Sequence, residues 1–122
     1  MDVITPRVNY GLLSRYKGRK VRLVGRVIQV HILTLKAEES TIAETSHTVV
    51  VEACDKGQVS VRLRQPSNFT TYVEFVGRVN TDLSINEFVF TNFGDTFDLD
   101  LHNKVVEYWQ RFPDIFPTEE LP

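Results

Sequence analysis

The chain has 122 residues, 42% hydrophobic and 25% charged, with eight Phe, four Tyr and one Trp; this is the size of one domain with a core of its own and excludes a wholly disordered tail. A formal net charge of −2 excludes the strongly basic balance of an autonomous nucleic-acid binder. No apolar run approaches the roughly 18 residues of a membrane span.

Met1 to Pro6 lacks a basic start and an apolar stretch, so no secretory signal is expected. The single cysteine, Cys54, excludes an internal disulfide and fits a reducing compartment. Charge is graded along the chain. Residues 1–27 carry seven basic and one acidic side chains, residues 28–79 five and six, and residues 80–122 two and nine. The first end suits phosphate and the last repels it.

Residues 1–19 read as an N-terminal extension. Lys20 to Leu35, rich in Val, Ile and Leu, reads as one long strand, with Gly25 marking a bend inside it. Lys36 to His47 is polar and is expected as a long, mobile, dispensable loop. Thr48 to Ala53 is strand-like, and Cys54 to Gln58 supplies a hairpin turn in which Gly57 takes the positive φ. Val59 to Arg64 alternates, with Val59, Val61 and Leu63 on one face and Ser60, Arg62 and Arg64 on the other. Tyr72 to Val79, interrupted by Gly77, and Glu87 to Phe93 complete five strands. Glycine bends in the first and fourth let the sheet close. The fold class predicted is all-β, a five-stranded Greek-key barrel of the OB type over residues 20–95, with its first and fourth strands side by side at the closure.

Residues 96–122 read as a C-terminal helix and tail. Asp98 is placed to cap a helix from Leu99 to about Arg111, and Pro113 stops it. At about 100° per residue, Leu101, Val105, Tyr108 and Phe112 form one stripe, with Leu99, Val106 and Trp109 on the adjacent quarter. Asp100, Asn103, Lys104, Glu107, Gln110 and Arg111 fill the opposite half, and His102 interrupts the apolar side. The apolar arc spans about 180°, wider than the stripe of about 100° that packs a helix on one surface. Spacing leaves two arrangements open: a helix wholly buried in its own barrel, or one that leaves a stripe for another helix.

His31, His47, His102 and Cys54 match no metal spacing, and no nucleophile or zinc-hydrolase motif occurs, so neither a metal, a cofactor nor an enzymatic site is expected. Nucleic-acid contact is the remaining chemistry. OB barrels bind single strands over their second and third strands with cations and stacking aromatics. Here Lys56, Arg62 and Arg64 are the candidate cations, while residues 48–53 and 59–64 offer no aromatic.

Three segments carry a family resemblance: Thr5-Pro6-Arg7-Val8-Asn9-Tyr10-Gly11-Leu12-Leu13 leading into Val24-Gly25-Arg26-Val27; Phe75-Val76-Gly77-Arg78-Val79; and Phe97-Asp98-Leu99-Asp100-Leu101-His102-Asn103 followed by Val105-Val106, Phe112-Pro113 and Phe116-Pro117. In this order and spacing the chain resembles the smallest subunit of replication protein A, the eukaryotic single-strand-DNA-binding heterotrimer. The segment Leu33 to His47 is longer than that family's first loop. The resemblance implies an OB barrel with a C-terminal helix and a non-catalytic, architectural role in DNA replication, repair and recombination in the nucleus. It also implies a helix bundle with the middle and large subunits, and weak direct contact with single-stranded DNA at most. The partner-helix residues would be Leu101, Val105, Tyr108, Trp109 and Phe112, with Val106 and Trp109 leaning toward the barrel. The smallest subunit of the telomeric single-strand-binding trimer has a similar architecture.

Overall fold

A computed structural model describes residues 5–36, 43–65 and 67–112, the side chains of 32–36 and 43–46 excepted. In chain order it contains β1 (Arg7–Val8), a 3-10 helix (Tyr10–Tyr16), β2 (Lys20–Lys36), β3 (Ala43–Ala53), β4 (Gln58–Leu63), β5 (Tyr72–Val79), β6 (Ile85–Gly94) and α1 (Leu99–Arg111). β2 pairs antiparallel with both β3 and β5, β3 with β4, and β5 with β6. A short parallel pairing of β4 with β6, Val61 opposite Ile85 and Arg62 opposite Asn86, closes the ring. The five expected strands therefore form the OB barrel, with the first and fourth adjacent as the closure requires.

Alternation fills the interior. Val59, Val61 and Leu63 of β4 point inward beside Val49 and Val51 of β3, Val21 and Leu23 of β2, and Val73 and Phe75 of β5. Phe69 covers Phe75 and Phe90 edge-on, with ring centroids 5.6 and 4.9 Å away. Gly77 sits where the β5–β6 register shifts, and a Cβ there would run into the Asn86 carbonyl and the Ile85 side chain. Its glycine permits close strand approach at the bulge.

Three expectations need correction. The N-terminal extension is part of the folded unit: β1 pairs in parallel with β2, and Val8 and Leu13 are fully buried in the barrel core. Alternation was invisible there because a two-residue strand and a 3-10 turn carry no sustained period. The described residues of the expected loop from Lys36 to His47, Lys36 and Ala43 to His47, are strand. β2 and β3 stay paired from Gln29 opposite Val50 out to Lys36 opposite Ala43, leaving 37–42 outside the described residues. Polar composition made Glu44, Thr45 and Ser46 read as loop, while their backbone pairs with Leu35, Thr34 and Leu33 as sheet. In the hairpin after β3, Lys56 and not Gly57 takes the positive φ, at 75°.

Candidate functional site

α1 begins where Asp98 accepts a hydrogen bond from the Leu101 amide at 3.0 Å, the expected N-cap. The helix divides into three sectors. Leu99, His102, Val106 and Trp109 are all 7% exposed or less. Leu99 and Val106 join Val24 and Cys54 in a second small core, with Leu12, Tyr72, Phe93 and Phe97 packed around it. Two residues assigned by spacing to the polar half belong to this inward sector as well. Asn103 accepts from Asn9 at 2.9 Å and from the Cys54 thiol at 3.4 Å, and Gln110 bonds the Tyr16 hydroxyl at 3.1 Å. Burial first, then the charges of Asp55 and Glu107, push the Cys54 thiol up to about 12, so it is an inert donor.

Opposite lies an exposed apolar stripe: Leu101 58%, Val105 44%, Tyr108 53% and Phe112 38% exposed. Tyr108 and Phe112 already pack on each other, ring centroids 4.4 Å apart. Trp109, grouped with this stripe among the partner-helix candidates, is turned inward at 7% exposure, with the Arg7 guanidinium 5.8 Å from its ring centroid. It also lines the adjoining apolar hollow of about 460 Å³ with Arg7, Lys104, Val105 and Tyr108. His102 sits against Phe97 at 5.6 Å, and burial, with the charge of Arg7 second, lowers its pKa.

The nucleic-acid candidates lie elsewhere, on the outer face of β4 and its turn. Arg62 is held by Asp82 at 3.3 Å and Lys56 by Asp100 at 3.3 Å, while Arg64 is exposed and uses its backbone amide on Glu87. Hydrogen bonds from Ser84, its hydroxyl at 2.6 Å and its amide at 3.0 Å, together with the Arg62 charge, hold Asp82 below the usual carboxylate range. Farther along the sheet Arg26 pairs with Glu52 at 3.6 Å. Cations on this face are thus largely neutralised in place.

One residue here was missed by reading the strands alone. Tyr10, at the start of the 3-10 helix, lines a groove of about 380 Å³ with Thr48, Gln58, Ser60, Arg62 and Asp82. Its ring lies over Gly57, where a Cβ would overlap it, and Asp55 accepts from the amides of Tyr10 and Gly11 at 3.1 and 3.0 Å. Among the described residues lining this groove Tyr10 is the aromatic, delivered from 47 residues upstream of Gly57 rather than from β3 or β4. The signal was the pairing of Gly57 with Asp55, a turn built to receive another segment.

Comparison with known proteins gives a consistent picture. The family model described as replication factor A protein 3 matches residues 1–116. A 14 kDa subunit of replication protein A from Arabidopsis thaliana is 35% identical over 107 residues, covering 86% of this chain and 88% of the relative. Replication factor A protein 3 of Schizosaccharomyces pombe is 27% identical over 116 residues, covering 95% and 98%. Among solved structures, a chain of U. maydis replication protein A bound to single-stranded DNA superposes with a TM-score of 0.76 at 27% identity, covering 95% of this chain and 98% of that one. A chain of the S. pombe Stn1–Ten1 complex gives 0.59 at 13% identity, covering 91% and 96%. That last likeness is one of fold.

Proposed function

The chain belongs to the replication factor A protein 3 family, the small subunits of replication protein A, and from that premise we propose that it is a non-catalytic subunit that joins the middle and large subunits through the exposed stripe of α1. The single observation that carries this is the split of the helix. Val106 and Trp109 already satisfy the barrel, so Leu101, Val105, Tyr108 and Phe112 are left for a second helix. Their i, i+4, i+7, i+11 spacing is that of a helix-packing seam. Burying each such side chain stabilises an interface by about 1.5–3 kcal/mol before ordering costs.

Within the complex this subunit works in the nucleus on single-stranded DNA during replication, repair and recombination, and contributes little of the affinity itself. Support comes from the ion pairs that occupy Arg62, Lys56 and Arg26 and from strands β3 and β4, whose residues 48–53 and 59–63 include no aromatic. The similarity of the telomere-associated Stn1–Ten1 chain, at 13% identity, reflects the shared barrel.

Mixing the full chain with the middle and large subunits, followed by size-exclusion chromatography with light scattering, tests the assignment. A heterotrimer with one copy of each is expected. A chain that elutes alone as a stable monomer in their presence overturns it. In a parallel anisotropy titration near physiological salt, submicromolar binding of the free chain to single-stranded DNA would make it an autonomous binder instead.

A further inference from the structure

At one end of the closing seam between β2 and β5, three cations lack the kind of acidic partner found on the β4 face. Lys20 and Arg78 are directly opposite each other in the antiparallel register, and both are exposed. Lys17 is bridged to Val79 one residue on, and the segment is pinned by Gly18 N to Val79 O at 2.7 Å and Val79 N to Arg19 O at 2.9 Å. Arg78 is further fixed by its Nη1, which donates to the Gly18 carbonyl at 2.6 Å. Among the described residues, none of Lys17, Lys20 and Arg78 forms an ion pair.

Like charges directly across an antiparallel pair destabilise it. The same two strands show that the chain can supply a counter-charge where it is wanted: Arg22, two residues along β2 from Lys20, is paired with Glu74 of β5 at 3.3 Å. At Lys20 and Arg78 no acid is placed, although the backbone there is held by hydrogen bonds on both sides. This is also where the basic segment of residues 1–27 enters the barrel.

We propose that Lys17, Lys20 and Arg78 form a contact site for the phosphate backbone of single-stranded DNA at the β2–β5 seam, bordering the β4 face at the Arg62–Asp82 pair. The inference deepens the reading of the chain as a subunit that works on single-stranded DNA, and rests on it. Three cations on a rigid seam meet successive phosphates without reading bases. The neighbouring hollow lined by Gly18, Arg62, Arg78, Asn80, Thr81 and Asp82 leaves room beside Arg78 for a strand to lie.

The test uses the full chain, fluorescein-labelled dT30, and a salt series starting at low ionic strength. Lys17→Gln with Lys20→Gln leaves the Arg78 bond to Gly18 in place, so the fold is kept, which a thermal melt verifies. The double variant is expected to bind about tenfold more weakly at low salt. Its slope of log affinity against log salt should fall by about 1.4, the value for two phosphate contacts on a single strand. Arg64→Gln, at a residue on the β4 face that does not line that hollow, should change the affinity less than about twofold. An unchanged slope in the Lys17/Lys20 variant, no measurable binding by the wild-type chain at the lowest salt, or tighter binding of polyglutamate than of dT30 each overturns the proposal. The last result would assign the seam to an acidic protein segment. Heterotrimer formation by the double variant, measured separately, reports on the subunit assignment and not on this site.

Discussion

The two apolar sides of α1 do different jobs with similar residue types. On the inner side Val106 and Trp109 are closed off, and two amides beside them are bonded: Asn103 to Asn9 and Cys54, Gln110 to Tyr16. On the outer side Leu101, Val105, Tyr108 and Phe112 stand open, flanked by Lys104 and Arg111, with no polar residue needing a partner. A buried face has to satisfy every donor it encloses, whereas a face awaiting a partner needs apolar area and solubilising edges. Hydrogen-bonded amides rather than hydrophobicity mark which side is finished.

The largest effect that separates the two sides is on stability. Trp109→Ala should cost the folded chain about 3–5 kcal/mol, as for other buried large-to-small changes, and Leu101→Ala less than about 0.5 kcal/mol. Urea unfolding of the two variants measures the contrast directly, and equal losses would erase it. A smaller loss is expected for Asn103→Ala, about 1–3 kcal/mol, because Asn9 and the Cys54 thiol lose their acceptor inside a half-buried contact.

The inner side also carries a pH signature. Burial, then Arg7, lowers the pKa of His102 from its ordinary 6.5. The unfolded chain therefore takes up a proton near the ordinary value while the folded chain resists it. Stability present above that value is lost as pH falls through it toward the lowered folded pKa. His102→Gln should flatten the melting temperature between pH 7 and about pH 5, and a variant as pH-sensitive as the wild type would move the effect to another group. Smallest of all is Lys56→Ala. Its pair with Asp100 is exposed on both sides, and thermal melts should shift by no more than about 0.5 kcal/mol equivalent.

Much of the barrel was legible because enclosed strands must alternate: Val59, Val61 and Leu63 announced their face, and Asp98 announced the start of α1. Helical spacing grouped Leu101, Val105, Tyr108 and Phe112 apart from Val106, but that this stripe is the exposed one came only from the burial of its neighbours. What spacing could not assign was the edge of the arc. Trp109 lies beside both faces, and only Arg7 and the barrel surface decide which it joins. Asn103 and Gln110 read as solvent residues because their partners, Asn9 and Tyr16, are 94 residues away in sequence. Tyr10 was missed for a similar reason, as was the β3 half of the paired arm, Ala43 to His47, whose backbone pairs with a stretch of β2 that, up to Leu35, already read as strand.

The claim that the outer side of α1 is the assembly surface is tested most directly by Val105→Asp with Tyr108→Asp, scored by co-purification with the middle subunit and by circular dichroism of the free chain. Loss of co-purification with an unchanged spectrum and melt is the predicted result. Retained co-purification by a folded variant would contradict the account, as would unfolding of the variant, which would mean that the stripe belongs to the barrel core.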